Sequence, residues 1–126
     1  MIFGIGVDIV STIRIRNLYQ RYGTKFLTKI LTSQEQEIFH RLTDNQVNFL
    51  SKRFAAKEAF VKALGTGFKN QLYPKDIGTH SDQYNNPTMH YTKEVEALLN
   101  SSKITTVHLS LADEKSYAIA FVTMES

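Results

Sequence analysis

The sequence predicts an α+β fold in a single domain, residues 1–126, with a mostly antiparallel sheet packed on a long central helix. Two observations carry this. Residues 53–67 are rich in Ala, Leu, Lys and Glu and meet no proline until Pro74, so they favour helix, and Gly65 stands where a left-handed residue would close it. At both ends of the chain, residues 2–10 and 105–111 alternate apolar with small or polar residues at the two-residue period of strands, and 116–123 follow a turn as the second strand of a hairpin. At 126 residues, the length suits one domain able to bury roughly two thirds of its unfolded surface.

Residues 2–10 read as a buried strand with Phe3, Ile5, Val7 and Ile9 on one face and Gly4, Gly6 and Asp8 on the other. Two glycines beside an aspartate leave room for something to approach the backbone closely. A carboxylate there is costly unless it is paired, hydrogen-bonded or bound to a metal. A capping aspartate at the strand end is the plainer alternative. Ser11 suits the N-cap of a helix over residues 12–22, closed near Gly23, with Ile15, Leu18, Tyr19 and Tyr22 as its apolar stripe. Arg14 and Arg21, seven apart, share a different face with Asn17 between them, and Arg16 and Lys25 extend the basic surface.

Residues 26–31 form a short apolar connector. Thr32 and Glu35 have capping-box spacing and start a helix ending near Leu42. Asp44 or Asn45 then caps the long helix, seated in the core by Val47, Phe49, Leu50 and Phe54. Later in that helix, Phe54, Val61 and Leu64 recur at helical spacing. After Gly67 a loop runs to Pro74. Short strands at 76–80 and 88–91 are joined through the turn-rich residues 82–87. Thr92 caps a helix over 93–100. In 105–111, Val107, Leu109 and Leu111 oppose His108 and Ser110, and a turn at 112–115 leads into 116–123, which completes a hairpin.

Composition excludes several classes. Hydrophobic content of 42% and charged content of 21% are those of an ordinary soluble globule. Without cysteine there is no disulfide framework, which fits a reducing cytoplasm. The opening residues lack a basic n-region and Asp8 interrupts their apolar run, which argues against a signal peptide, and no stretch reads as a membrane span. The net charge of +3 conceals an asymmetry. Residues 1–31 carry five Lys/Arg against Asp8 alone, and residues 52–75 carry six against Glu58 alone, whereas residues 76–126 carry three against seven acids. Two basic segments, each with one carboxylate, point to an anionic partner or substrate. The modest overall charge argues against general nucleic-acid binding.

Glu58 and Lys62 are four apart on one helix face, and a solvated ion pair is the bland account of them. Other motifs fail. Gly65-Thr66-Gly67 lacks Walker-loop spacing, and Gly4-x-Gly6 lacks the third glycine and following helix of a dinucleotide fingerprint. His40, His80, His90 and His108 have no zinc-ligand spacing, and no Ser/His/Asp set can be assembled from sequence order.

With Gly6-Val7-Asp8-Ile9 near the start, Lys57-Glu58-Ala59-Phe60-Val61-Lys62 followed by Gly65-Thr66-Gly67 in the middle, and Leu109-Ser110-Leu111 and Tyr117-Ala118-Ile119-Ala120 in the last hairpin, the chain resembles the holo-acyl-carrier-protein synthases. These are the small bacterial 4'-phosphopantetheinyl transferases, and the likeness covers nearly the whole chain. It implies the transferase fold and a reaction supporting fatty acid biosynthesis. The phosphopantetheine arm of coenzyme A passes to a serine of apo acyl carrier protein, and adenosine 3',5'-bisphosphate is released. It implies Mg²⁺ held by Asp8 and Glu58, with Lys62 on the phosphates. Arg53, Lys62, Gly65 and Thr66 would help hold coenzyme A, and Arg14 and Arg21 would dock the acidic carrier. The serine proton would pass to Glu58 or to a metal-bound water. Homotrimers with active sites between subunits are implied, as is a cytoplasmic setting, with no role for nucleic acid or membrane.

The residues fit that division of labour, since Mg²⁺ favours one or two protein carboxylates and leaves other positions to water and substrate phosphate. There are departures. Where many relatives carry His in the last hairpin this chain has Asp113, which cannot offer positive charge to a phosphate. Ala112 lacks a hydroxyl relatives often supply, and Asn86-Pro87 replaces a glycine-containing turn. Two competing readings are a non-catalytic basic binding module, with both carboxylates structural, and a nucleotide-pyrophosphate hydrolase using the same metal site.

Overall fold

Residues 1–69 and 72–126 are described by the computed structural model. Strand β1 (Ile2–Ser11) runs into α1 (Thr12–Tyr22), followed by α2 (Thr24–Ile30), α3 (Ser33–Arg41) and the long α4 (Gln46–Leu64). A 3₁₀ turn at Pro74–Asp76 precedes β2 (Ile77–Ser81) and β3 (Pro87–Tyr91); α5 (Lys93–Ser101), β4 (Thr106–Asp113) and β5 (Tyr117–Glu125) complete the chain. The strands form two antiparallel sheets, one ordered β1-β5-β4 and the other β2-β3.

Glycine decides how α4 meets the main sheet. A Cβ built on Gly6 would lie 1.9 Å from the Ala59 carbonyl oxygen, and one on Gly4 would lie 1.9 Å from that of Ala63. Without those carbons, helix backbone rests directly on strand backbone. On α4, Ala55, Ala56 and Ala59 are fully buried and Ala63 nearly so, which keeps the interface thin. Phe60, Val61, Leu50, Phe39 and Leu27 continue the core towards α2 and α3, and Val122 and Met124 of β5 close it from the sheet.

The helix signals act where the sequence puts them. The Ser11 hydroxyl accepts the Arg14 N–H, and Gly23 follows α1 at φ 55°. Thr32 and Glu35 complete a capping box at α3, and the Thr92 hydroxyl accepts the Val95 N–H at α5. Gly65 ends α4 at φ 87°.

Several expectations change. Phe3, Ile5, Val7 and Ile9 are not buried but 42–60% exposed, because the helix takes the glycine face of β1 and the larger side chains point away from the core. Residues 26–31 are not a connector: Phe26, Leu27 and Ile30 recur at helical spacing as the buried stripe of α2. Asn45 occupies the N-cap position of α4 but gives no side-chain cap, its own backbone being left-handed at φ 59°. Asp76 belongs to the 3₁₀ turn, so β2 starts at Ile77, and Ala112 and Asp113 remain paired in β4, which shortens the hairpin turn. The loop expected between Gly67 and Pro74 includes residues 70 and 71, which lie outside the described residues.

Candidate active site

Asp8 shares the inward face of β1 with Gly4 and Gly6, opposite Ala120 of β5. The Ala59 and Ala63 contacts with those glycines bring the neighbouring α4 residues, Glu58 and Lys62, to the edge of the same interface. Lys62 Nζ donates to Asp8 Oδ1 at 3.0 Å and to the Val7 carbonyl oxygen at 3.0 Å. Its partner is therefore the strand aspartate, and the i,i+4 pairing with Glu58 does not form among the described salt bridges. Among the described residues nothing donates a hydrogen bond to the Glu58 carboxylate. Burial pushes that carboxyl above its ordinary value and the charge on Asp8 pushes it further, while Lys62 and Arg14 pull it back. Two carboxylates from different elements thus repel each other beside a lysine.

Beyond Glu58 opens a cavity of about 750 Å³ bounded by α1, α2, α4 and the segment after α4, with Leu18, Phe54, Phe68 and Tyr73 among its apolar walls and Lys25 and Lys29 also lining it. Arg14 lies over the Phe54 ring at 5.5 Å, and Arg21 over the Tyr22 ring at 5.3 Å. Both arginines are exposed, on the helix that lines this cavity.

The other expected site residues separate. Gly65 and Thr66 follow directly after α4, one turn beyond Lys62, and the Thr66 hydroxyl donates to the Gly67 carbonyl oxygen at 3.1 Å. Arg53 is five residues before Glu58, about 140° around the helix. Its guanidinium sits 4.0 Å above the Phe49 ring, and it lines a separate cleft of about 200 Å³ with Lys52, His80 and Asp113. Burial draws Arg53 below its ordinary pKa, against the pull of Glu35. Asp113 accepts from Asn48 Nδ2 at 2.7 Å and faces Lys52 Nζ at 3.9 Å, so it ties the end of β4 to α4.

Residues 4–122 match the profile of the 4'-phosphopantetheinyl transferase superfamily. The chain belongs to that superfamily. It is 46% identical over 126 residues to a holo-[acyl-carrier-protein] synthase of Wolbachia pipientis, with 98% of each chain covered. Its fold is similar to that of the holo-[acyl-carrier-protein] synthase from Neisseria meningitidis, with TM-score 0.96 and 41% identity over the whole of both chains. A Bacillus anthracis synthase in complex with CoA (3',5'-ADP) matches with TM-score 0.84 and 35% identity, covering 100% of this chain and 98% of that one.

For this superfamily member, the sequence reading missed a buried ion pair beside the carboxylates. Lys57 and Glu35 are 1% and 0% exposed, with Nζ 2.5 Å from Oε1. The available signal was Lys57 itself, a charged residue set in a run of apolar ones, Ala55, Ala56, Ala59, Phe60 and Val61, that buries α4 on more than one side. The cavity beside Glu58 was also missed, since its walls come from elements far apart in sequence.

Proposed function

We propose that this chain transfers the 4'-phosphopantetheine arm of coenzyme A to a serine of apo acyl carrier protein, releasing adenosine 3',5'-bisphosphate, and so serves fatty acid biosynthesis. The observation that carries this is the convergence of Asp8 and Glu58, from β1 and α4, beside Lys62.

The donor set fits Mg²⁺. Two carboxylates supply hard oxygen ligands, their mutual repulsion favours a cation between them, and Mg²⁺ keeps its other positions for water and phosphate. Among the described residues no group of three or more metal-ligating side chains occurs, and Asp8 and Glu58 would be the protein's own donors, with water and substrate phosphate supplying the rest. Bound there, the ion would offset charge on the substrate pyrophosphate.

The chain's own groups do the rest. Lys62 offsets negative charge on the phosphates, and the amides after α4 at Gly65 and Thr66 help hold them. The carrier serine oxygen attacks the phosphorus that bears the arm. A new P–O bond forms there as the bond to the bisphosphate oxygen breaks, in line with it. The Glu58 carboxylate, made more basic by burial and by Asp8, is suited to accept the serine proton. Arg53, whose cleft lies on another side of α4, would meet coenzyme A only where a neighbouring copy brings the substrate across a subunit boundary. Arg14 and Arg21 steer the acidic carrier protein, acting more on association than on chemistry.

The exposed face of β1 and β5 supports a homotrimer with sites between subunits. Phe3, Ile5, Val7 and Ile9 adjoin Tyr117, Ile119 and Phe121, forming one apolar sheet surface that a second copy would cover. No described helix is long and apolar enough to cross a membrane. A cytoplasmic setting is part of the same reading.

The direct test is the mass of apo carrier protein incubated with this chain, coenzyme A and Mg²⁺, against an EDTA control. A gain of one arm, abolished by EDTA, is expected. Free phosphopantetheine released without carrier would mark a hydrolase instead.

A further inference from the structure

The Glu35–Lys57 pair joins more elements than an ion pair requires. Lys57 Nζ donates to Glu35 Oε1 and to the Ile30 carbonyl oxygen, both at 2.5 Å. Glu35 Oε1 also accepts the Thr32 N–H at 2.9 Å, and Oε2 accepts the Thr79 N–H at 3.0 Å. Ile30 ends α2, where carbonyls lack helical partners and a cation is favoured. One buried pair thus connects the end of α2, the start of α3, the middle of α4 and β2.

Stability alone does not account for it, because exchanging a buried ion pair for apolar side chains of similar volume is often neutral or stabilising. The opposite side of α4 shows what the pair can add. There the helix presents Ala59 and Ala63 to Gly4 and Gly6. Such small groups set how near the helix comes, but they do not interdigitate, so they define its rotation and slide along β1 weakly. Directional hydrogen bonds at Lys57 define both. Glu58 is the next residue, and its distance from Asp8 on β1 changes with any rotation or slide of α4.

We propose that the Glu35–Lys57 pair is a positioning device that sets the register of α4 against β1 and thereby the spacing of Glu58 from Asp8. This rests on the reading of those two carboxylates as the metal ligands. Lys57 is too buried to meet substrate, so its effect passes through Glu58.

The test compares the intact chain with Glu35→Gln/Lys57→Met, which removes both charges together, and with Asp8→Asn. Folding is followed by thermal melting and Mn²⁺ affinity by electron paramagnetic resonance. The folded double variant should bind Mn²⁺ about 10–100-fold more weakly, the range for residues that orient metal ligands. It should lose kcat while retaining its KM for coenzyme A, and Asp8→Asn should lose the ion. Wild-type Mn²⁺ affinity in the folded double variant, with Asp8→Asn defective, overturns the positioning role and leaves the metal site standing. Undiminished Mn²⁺ binding by Asp8→Asn overturns both. If the double variant does not fold, Glu35→Gln alone should show the weakened binding. Failure of both to fold would make the pair a structural necessity and overturn the proposal.

Discussion

Replacing Gly6 by alanine tests the geometry on which the site depends. The added Cβ would stand 1.9 Å from the Ala59 carbonyl oxygen and 2.7 Å from the Ala63 nitrogen, whereas real Cβ atoms essentially never come under 3.0 Å. Helix and strand must therefore part by about 1 Å or more, and because both obstacles are backbone, no rotamer relieves them. Overpacking of this kind costs about 1–3 kcal/mol, and we expect the upper end, lowering Tm by roughly 10 °C for a domain of this size. Glu58 and Lys62 move with the helix while Asp8 stays on the strand. A misplacement of about 1 Å can cost roughly a hundredfold in rate. Calorimetry, Mn²⁺ binding and the carrier-protein mass assay read the three consequences separately. Gly78→Ala is the comparison, since its Cβ would meet only side-chain atoms, the Thr32 methyl at 3.3 Å and His80 Nε2 at 3.4 Å. A Gly6→Ala protein as stable and active as the parent would refute the claim that bare backbone contact sets the approach of α4 to Asp8.

Glu58→Gln should lower turnover about a hundredfold or more, as loss of a base and ligand would, while raising the Tm of the metal-free chain only slightly, because solvent screens the half-exposed carboxyl. The pH dependence follows from the raised carboxyl: stability due to protonated Glu58 is full below the ordinary glutamate value of about 4.3. It is lost as pH rises through the higher native value, so melting curves of parent and variant should diverge over that window. Arg14→Ala with Arg21→Ala should raise KM for the carrier protein and flatten its salt dependence; a fall in kcat alone would contradict docking as their role. Val7→Asp with Phe121→Asp, on adjacent strands of the exposed face, should yield monomers in sedimentation if that face joins copies, and an unchanged assembly would exclude it.

Much of the fold was legible where local chemistry decides it. Ser11, Thr32, Thr92 and Gly65 mark helix ends through hydrogen bonds or backbone angles that need no distant partner. The alternation of Val107, Leu109 and Leu111 likewise survives in β4, where these residues are half-buried and His108 and Ser110 exposed. The missed helix α2 is seven residues long, too short for a periodic signal to stand out. At the site, the suspicion attached to Asp8 and Glu58 came from isolated charges in basic segments. Which partner Lys62 takes was not legible, since it depends on how two elements 54 residues apart meet. Arg53 illustrates the same limit: adjacency along a helix does not say which side of it a residue serves.

The exposure of the large side chains of β1 follows from the arrangement that builds the site. Asp8 must face α4 to meet Glu58 and Lys62, and side chains alternate, so Gly6 and Gly4 face α4 as well. A helix coming close enough to bring its charged residues to Asp8 leaves no room for a Cβ at those two positions. The apolar bulk of the strand is then obliged to occupy the other face, where Phe3, Ile5, Val7 and Ile9 find no core of their own chain. Periodicity separated the two faces correctly, but the reading of the whole strand as buried holds only for the glycine face, because hydrophobicity says which side chains avoid water without saying what covers them. Close backbone contact at the carboxylates and an exposed apolar outer face are therefore two results of one pattern of glycines. A larger residue at Gly6 should disturb the first while leaving the second in place.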